Sequence, residues 1–155
     1  MRMYRKGKTD SLRTYAVYHK TLGRCGYCGK GLTMDSGRPN TFTVDHVLAE
    51  RKNGSSGFGN LLPACRSCNS RKGTRSIEQF RNTMRALEMQ RHGAPKFTEA
   101  QIKWLDDRGC SVLSQFPPSK FYFETLDTDG CREIAGRTPA NDDVDGPYLR
   151  EEASA

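Results

Sequence analysis

Residues 65–73 read Cys65-Arg66-Ser67-Cys68-Asn69-Ser70-Arg71-Lys72-Gly73, and they determine the fold together with Cys25-Gly26-Tyr27-Cys28 earlier in the chain. Each stretch holds two cysteines with two residues between them, and 36 residues separate the two pairs. Two such pairs supply four soft thiolates, the ligand set of a tetrahedral structural zinc with no open coordination position. The sequence therefore predicts a structural Zn²⁺ held by Cys25, Cys28, Cys65 and Cys68.

The composition also indicates a fold that needs a metal. The 155 residues are enough for one ordinary domain with arms, yet only 35% of them are hydrophobic. Zinc binding can add on the order of 10 kcal/mol of folding free energy in small zinc domains. A redox role would instead need a single C-x2-C pair in a βαβ context, which the pattern lacks. Cys110 and Cys131 lack ligand spacing and are predicted to be ordinary packing or solvent-facing residues.

The sequence has no apolar run of the roughly 20 residues that would span a bilayer. Its basic N-terminus runs into polar residues rather than into the apolar core of a signal peptide. We therefore expect no membrane association and a cytoplasmic location, in a bacterial cell or a phage-infected host. A reducing compartment favours thiols as metal ligands over disulfides.

Positive charge is concentrated in the first four-fifths of the chain. The net charge is +7, but residues 124–155 hold nine acidic and three basic residues, which leaves 22 basic and nine acidic residues before them. That balance of +13 attracts polyanions, because phosphate contacts dominate nucleic-acid affinity. A merely soluble basic protein is the alternative explanation of the charge.

The elements before the second cysteine pair are predicted from periodicity. A helix is expected from Ser11 to about Gly23, because apolar or aromatic positions recur there at helical spacing. Those positions are Leu12, Tyr15, Ala16 and His19. Residues 41–47 alternate like a short strand, residues 51–59 are rich in Gly and Ser like a loop, and residues 60–62 return as a brief strand.

The elements after the cysteines are predicted from capping signals. Ser76 with Gln79, and Thr98 with Gln101, fit capping boxes that open two helices. A strand is expected over 120–124, past two prolines. The predicted organisation is a flexible basic arm, a core with an N-terminal helix and a long later helix, a helix-and-strand extension, and a disordered acidic tail. These units cover residues 1–10, 11–94, 95–125 and 126–155.

The order of these motifs resembles the HNH, or His-Me finger, endonucleases, which have a ββα-metal active site. The residues that carry the resemblance are the two C-x2-C pairs, Val44-Asp45-His46-Val47, Asn60-Leu61-Leu62-Pro63, and Asn69-x2-Lys72-Gly73. It covers about residues 22–75. The implied fold is α+β, a small zinc-stapled ββα-metal, treble-clef-like core with flanking helices. Asn69 stands where many members have the last His, so the chain resembles the HNN variant found in endonuclease VII-like proteins.

The resemblance implies roles for four residues. Asp45 and Asn69 would bind one catalytic Mg²⁺ or Mn²⁺, His46 would be the general base, and Asn60 would orient that base by hydrogen bonds across the loop. An ordinary turn residue is the alternative for Asn60. Carboxylate and amide oxygens suit hard cations, and an imidazole accepts a proton from water near neutral pH. Hydrolysis would leave a 5′-phosphate and a 3′-hydroxyl.

DNA is the expected partner. Lys72 lies one helical turn beyond Asn69, where an ammonium could meet a phosphate, and Arg66, Arg71 and Arg75 are close in sequence. The alternative function is a zinc-dependent DNA-binding module that does not cut. A homodimer, or sequential nicking by single chains, would account for cutting both strands. A phage packaging partner, restriction and mobile-element homing are all compatible with the sequence.

Overall fold

A two-stranded antiparallel sheet carries most of the motif residues. The computed structural model describes residues 8–135 of the chain. Strand β1 (Phe42–His46) pairs with strand β2 (Leu61–Cys65), and His46 lies opposite Leu61. Every residue of β2 is buried, whereas β1 buries only Asp45. The sheet thus places the end of β1, with its Asp-His pair, at the edge of the buried interior.

The described part of the chain contains five α-helices, of which the first two pack against this sheet. They are α1 (Lys8–Lys20), α2 (Arg66–Lys72), α3 (Ile77–Arg91), α4 (Glu99–Asp106) and α5 (Asp129–Ala135). Four short 3-10 turns occur at Glu50–Lys52, Phe58–Asn60, Ser111–Gln115 and Tyr122–Thr125. Because α2 follows β2 directly, β1, β2 and α2 form a ββα unit. The predicted α+β class is confirmed. Each helix in the described residues is too short or too polar to span a lipid bilayer.

The two predicted capping boxes are present. The Ser76 side chain accepts a hydrogen bond from the backbone N–H of Gln79, whose side chain accepts one from the backbone N–H of Ser76. Thr98 and Gln101 repeat this exchange at the start of α4. These bonds satisfy backbone donors that would otherwise be unpaired at a helix start, so both helices begin where the sequence predicts.

An aromatic cluster forms the core beside the sheet. Tyr27 packs edge-on against Phe80 and Phe121, with ring centroids 5.1 and 5.2 Å away, and Phe123 lies 6.3 Å from it. All four side chains are at least 96% buried. A second, smaller core lies between α3, α4 and the Ser111–Gln115 turn. The segment after residue 95 therefore contributes to both cores.

Helix α1 does not bury the positions whose spacing predicted it. The helix begins at Lys8 rather than at Ser11, and it buries Val17 and Lys20. Leu12 and Tyr15 are 72% and 65% exposed. The Lys20 ammonium accounts for this orientation, because it donates hydrogen bonds of 2.8 Å to the carbonyls of Phe58 and Leu61. A buried ammonium that must keep its hydrogen bonds fixes the rotation of the helix, even though this leaves Leu12 and Tyr15 exposed.

The predicted strand over 120–124 and the predicted disorder from residue 126 are both wrong in the described range. Residues 122–125 form a 3-10 turn, because the amides of Tyr122 and Phe123 donate to carbonyls of the first cysteine turn instead of to a strand. Helix α5 follows, and its Cys131 side chain is fully buried. Residues 1–7 of the predicted arm and 136–155 of the predicted tail lie outside the described residues. The predicted loop over 51–59 includes parts of two 3-10 turns.

Candidate active site

The four predicted zinc ligands meet at one point. Their sulfur atoms all lie within 4.8 Å of one another, and the Sγ atoms of Cys28 and Cys65 are 3.9 Å apart. A tetrahedral zinc with Zn–S bonds of about 2.3 Å places its sulfurs about 3.8 Å apart. The cluster therefore fits a four-thiolate zinc. Gly26 permits the tight first turn, since an added Cβ there would lie 2.6 Å from the Leu62 side chain.

The opposed pKa shifts of the four thiols also indicate a site for a cation. Hydrogen bonds among the four side chains raise the pKa of Cys25 and Cys68 and lower the pKa of Cys28 and Cys65, the last to about 6. Thiols this close cannot all ionise unless a positive charge lies between them. A divalent ion stabilises all four thiolates at once, so the donor set fits zinc in charge as well as in distance.

Asp45 is held by two donors in the interior. The hydroxyl of Tyr27 donates to Asp45 Oδ2 at 2.5 Å, and the Lys72 ammonium lies 3.1 Å from the same oxygen and 3.4 Å from Oδ1. Lys72 also donates to the backbone carbonyl of His46 at 3.0 Å. Burial raises the pKa of Asp45, and the nearby Lys72 and Tyr27 act against this shift. The carboxylate is thus kept beside a cation rather than in water.

This position corrects the predicted role of Lys72. The side chain of Lys72 is completely buried, so it does not extend to a phosphate at the surface. Arg66 and Arg71 are exposed on α2 and remain able to contact a DNA backbone. Arg75 is half-buried, lies 3.6 Å from Glu99 and donates to the carbonyl of Arg71. Of the four predicted phosphate contacts, two are therefore directed to solvent.

His46 lies at the end of β1 and is one-quarter exposed. Its Nε2 atom is 3.2 Å from Ser56 Oγ and 3.3 Å from Glu50 Oε1. Neither partner was among the site residues predicted from the sequence. The spacing of four residues could have pointed to a His46–Glu50 contact. That contact, however, depends on the 3-10 turn at Glu50–Lys52, which was not predicted. Glu50 and Ser56 together fix the direction of the imidazole ring.

The Asn60 side chain holds together the chain before and after the Glu50–Lys52 turn. Its Oδ1 accepts from the backbone N–H of Leu48 at 2.9 Å, and its Nδ2 donates to the carbonyls of Leu48 and Ser55 at 2.9 and 2.7 Å. The backbone carbonyl of Asn60 accepts from Val47 N–H at 2.9 Å. The side chain is fully buried, so these bonds hold the segment that follows His46 against β2.

One open cleft brings together Asp45, His46 and Asn69. Its other lining residues are Val44, Ala49, Glu50, Arg51, Gly73 and Thr74. The amide nitrogen of Asn69 donates to Thr43 Oγ1 at 3.0 Å, which leaves its carbonyl oxygen as the atom that it offers as a ligand. A carboxylate and an amide carbonyl on one cleft are donors suited to a hard divalent cation. Asn60 is buried behind this cleft rather than lining it.

Comparison with known proteins agrees with this geometry. Residues 25–75 match the model of the HNH endonuclease family, which is about a third of the chain. A search of curated proteins finds none that matches the chain. The match begins at the first predicted zinc ligand, Cys25, and ends just after α2, so it contains the whole ββα unit and the cleft. A match to this family model supports a DNA-cleaving, nuclease-type function. Residues 25–75 are therefore an HNH endonuclease domain.

Proposed function

We propose that this protein is a metal-dependent DNA endonuclease that hydrolyses phosphodiester bonds. The observation that carries the proposal is that Asp45, His46 and Asn69, from two different elements, line the same open cleft. A module that only binds DNA has no need for a carboxylate, an imidazole and an amide carbonyl on one surface. The exposed guanidinium groups of Arg66 and Arg71 on α2 would hold the DNA backbone beside this cleft.

In this proposal His46 is the general base. A proton on Nε2 is shared with Glu50, and the tautomer with that proton leaves Nδ1 free to accept one from the attacking water. Glu50 therefore positions the ring and stabilises the imidazolium that forms. Asn60 acts indirectly, because its bonds to Leu48 and Ser55 fix the chain on the far side of His46.

Asp45 and Asn69 would hold Mg²⁺ or Mn²⁺ through one carboxylate oxygen and one amide oxygen. Such an ion, when bound, offsets negative charge on the scissile phosphate and on the leaving 3′-oxygen. The chain itself positions the two ligands: β1 carries Asp45, and α2 carries Asn69 with its side chain fixed by Thr43. Protonation of the departing 3′-oxygen gives a 3′-hydroxyl and leaves a 5′-phosphate.

The decisive experiment is incubation of supercoiled plasmid with the zinc-loaded protein and Mg²⁺ or Mn²⁺, with the His46→Ala variant as control. We expect nicked or linear plasmid from the wild type and intact plasmid from the variant. Parallel reactions on linear duplex, nicked duplex and a four-way junction would define the substrate. If the wild type binds all four DNAs and cuts none with either metal, the protein is the non-cutting DNA-binding module instead.

A further inference from the structure

Lys72 brings a positive charge into the same site that would bind the catalytic cation. Its ammonium is 3.1 Å from Asp45 Oδ2, and Asn69, the other proposed ligand, is neutral. The salt bridge therefore cancels the charge of the only anionic ligand in the pair. On the basis of the function proposed above, we propose that Lys72 keeps this metal site electrically neutral, so that a divalent cation binds the free protein weakly and becomes firmly bound only when a DNA phosphodiester supplies negative charge.

The buried position of Lys72 makes its charge a fixed part of the site. Its side chain is fully buried, and its hydrogen bonds go to Asp45 and to the backbone carbonyl of His46. Moving the ammonium aside to admit a cation would leave it in the interior without these acceptors, which is costly for a charged group. A cation on Asp45 must therefore bind next to it, and the two positive charges repel each other.

The contacts also identify the oxygen that remains for a metal. Tyr27 and Lys72 both approach Oδ2 of Asp45, at 2.5 and 3.1 Å, whereas the contact of Lys72 with Oδ1 is 3.4 Å. Oδ1 is therefore the less engaged oxygen and the natural ligand. Asn69 and Lys72 are three residues apart on α2, so the neutral ligand and the fixed cation come from the same side of one helix.

The remaining charges of the cleft do not alter this balance. Glu50 and Arg51 both line it, and their opposite charges offset each other. Glu50 is 62% exposed and is engaged with His46, so it adds little fixed charge near Asp45. A phosphodiester entering the cleft would bring the negative charge that the protein lacks. DNA would then complete the metal site as well as being its substrate.

The test measures Mn²⁺ binding rather than cleavage. Full-length His46→Ala protein, with its zinc retained, is titrated with Mn²⁺ with and without a short DNA duplex, and free Mn²⁺ is followed by electron paramagnetic resonance. We expect the duplex to tighten Mn²⁺ binding roughly tenfold or more. An added Asp45→Asn substitution should abolish this DNA-dependent binding, which assigns the ion to this site rather than to the DNA alone.

A second arm removes the cation. Adding Lys72→Met to the His46→Ala protein should tighten Mn²⁺ binding without DNA by about tenfold or more, whereas Lys72→Arg should not. Lys103→Met is the matched control, because it removes an exposed lysine of α4. Equal Mn²⁺ binding with and without DNA, or a Lys72→Met protein that binds no tighter than the Lys103→Met protein, would overturn the proposal. If Lys72→Met does not fold, Lys72→Gln takes its place in the same comparison, because its amide can still donate to the carbonyl of His46. Wild-type cleavage of plasmid combined with DNA-independent Mn²⁺ binding would refute this inference and leave the proposed nuclease function intact.

Discussion

Replacing Asn60 by alanine should destabilise the protein and also slow DNA cleavage. The side chain is fully buried and makes three hydrogen bonds, to the N–H and carbonyl of Leu48 and to the carbonyl of Ser55. Alanine removes all three and leaves these backbone groups in the interior without that partner. Both effects have the same origin, because the same bonds hold the segment that follows His46.

The size of the effect follows from these contacts. A hydrogen bond contributes about 1 kcal/mol net, and a buried group left unsatisfied costs about 1–3 kcal/mol. Water entering the space left by the amide would satisfy part of the backbone, so we expect a loss of about 3 kcal/mol in the free energy of unfolding. Domains of this size are typically stable by about 5–15 kcal/mol, so the variant should still fold.

Urea unfolding at saturating zinc, followed by far-ultraviolet circular dichroism, measures the stability change. Asn40→Ala is the matched control, because the Asn40 amide makes one exposed hydrogen bond, to the carbonyl of Gly31. That variant should lose less than about 1 kcal/mol. Plasmid cleavage measured below the unfolding transition should fall by roughly a hundredfold for Asn60→Ala, since a displaced base loses its alignment with the water.

The reasoning fails if the two asparagine variants unfold at the same urea concentration. It also fails in part if Asn60→Ala is less stable as expected but cleaves DNA at the wild-type rate. In that case the bonds of Asn60 stabilise the fold without positioning His46.

Three further outcomes are expected. Glu50→Gln should lower the cleavage rate roughly tenfold, because His46 loses the carboxylate that stabilises its charged form. The DNA affinity should stay within about twofold of wild type, and an unchanged cleavage rate would remove Glu50 from the mechanism. Cys65→Ser should unfold, and elemental analysis should find no zinc in it. Brief EDTA treatment of the wild type should instead stop cleavage first and leave the zinc-bound fold intact. A folded, zinc-free Cys65→Ser protein would contradict the structural role of the metal. Arg66→Ala and Arg71→Ala should each reduce the slope of log affinity against log salt by about 1, and a slope equal to that of wild type would mean that these side chains do not touch DNA phosphates.

The local chemistry of the sequence predicted those features that a few neighbouring residues decide. The cysteine pairs predicted the thiol cluster, because their spacing directly encodes a ligand set. Ser76 and Thr98 predicted the starts of α3 and α4, because each capping box is complete within four residues. The alternation over 41–47 predicted β1. In each case the interactions that fix the structure lie within the motif itself.

The features that distant contacts decide could not be predicted in this way. The rotation of α1 depends on Lys20 reaching carbonyls about 40 residues away, so its apolar spacing does not mark the face that it buries. Lys72 has the pattern of a surface cation on a basic helix, and only the fold reveals that it pairs with Asp45. The 3-10 turn at 122–125 forms because the first cysteine turn provides its hydrogen-bond acceptors.

The aromatic cluster limits how far the segment that matches the HNH family can be treated as a portable module. Tyr27 lies within residues 25–75 and donates a hydrogen bond to Asp45. Its ring, however, packs against Phe121 and Phe123, which lie beyond that segment. A domain fusion cut at residue 75 would transfer every motif residue and lose the wall behind Tyr27. Exchange of residues 25–75 between proteins would therefore have to carry the later segment along, or supply other side chains of similar volume in its place.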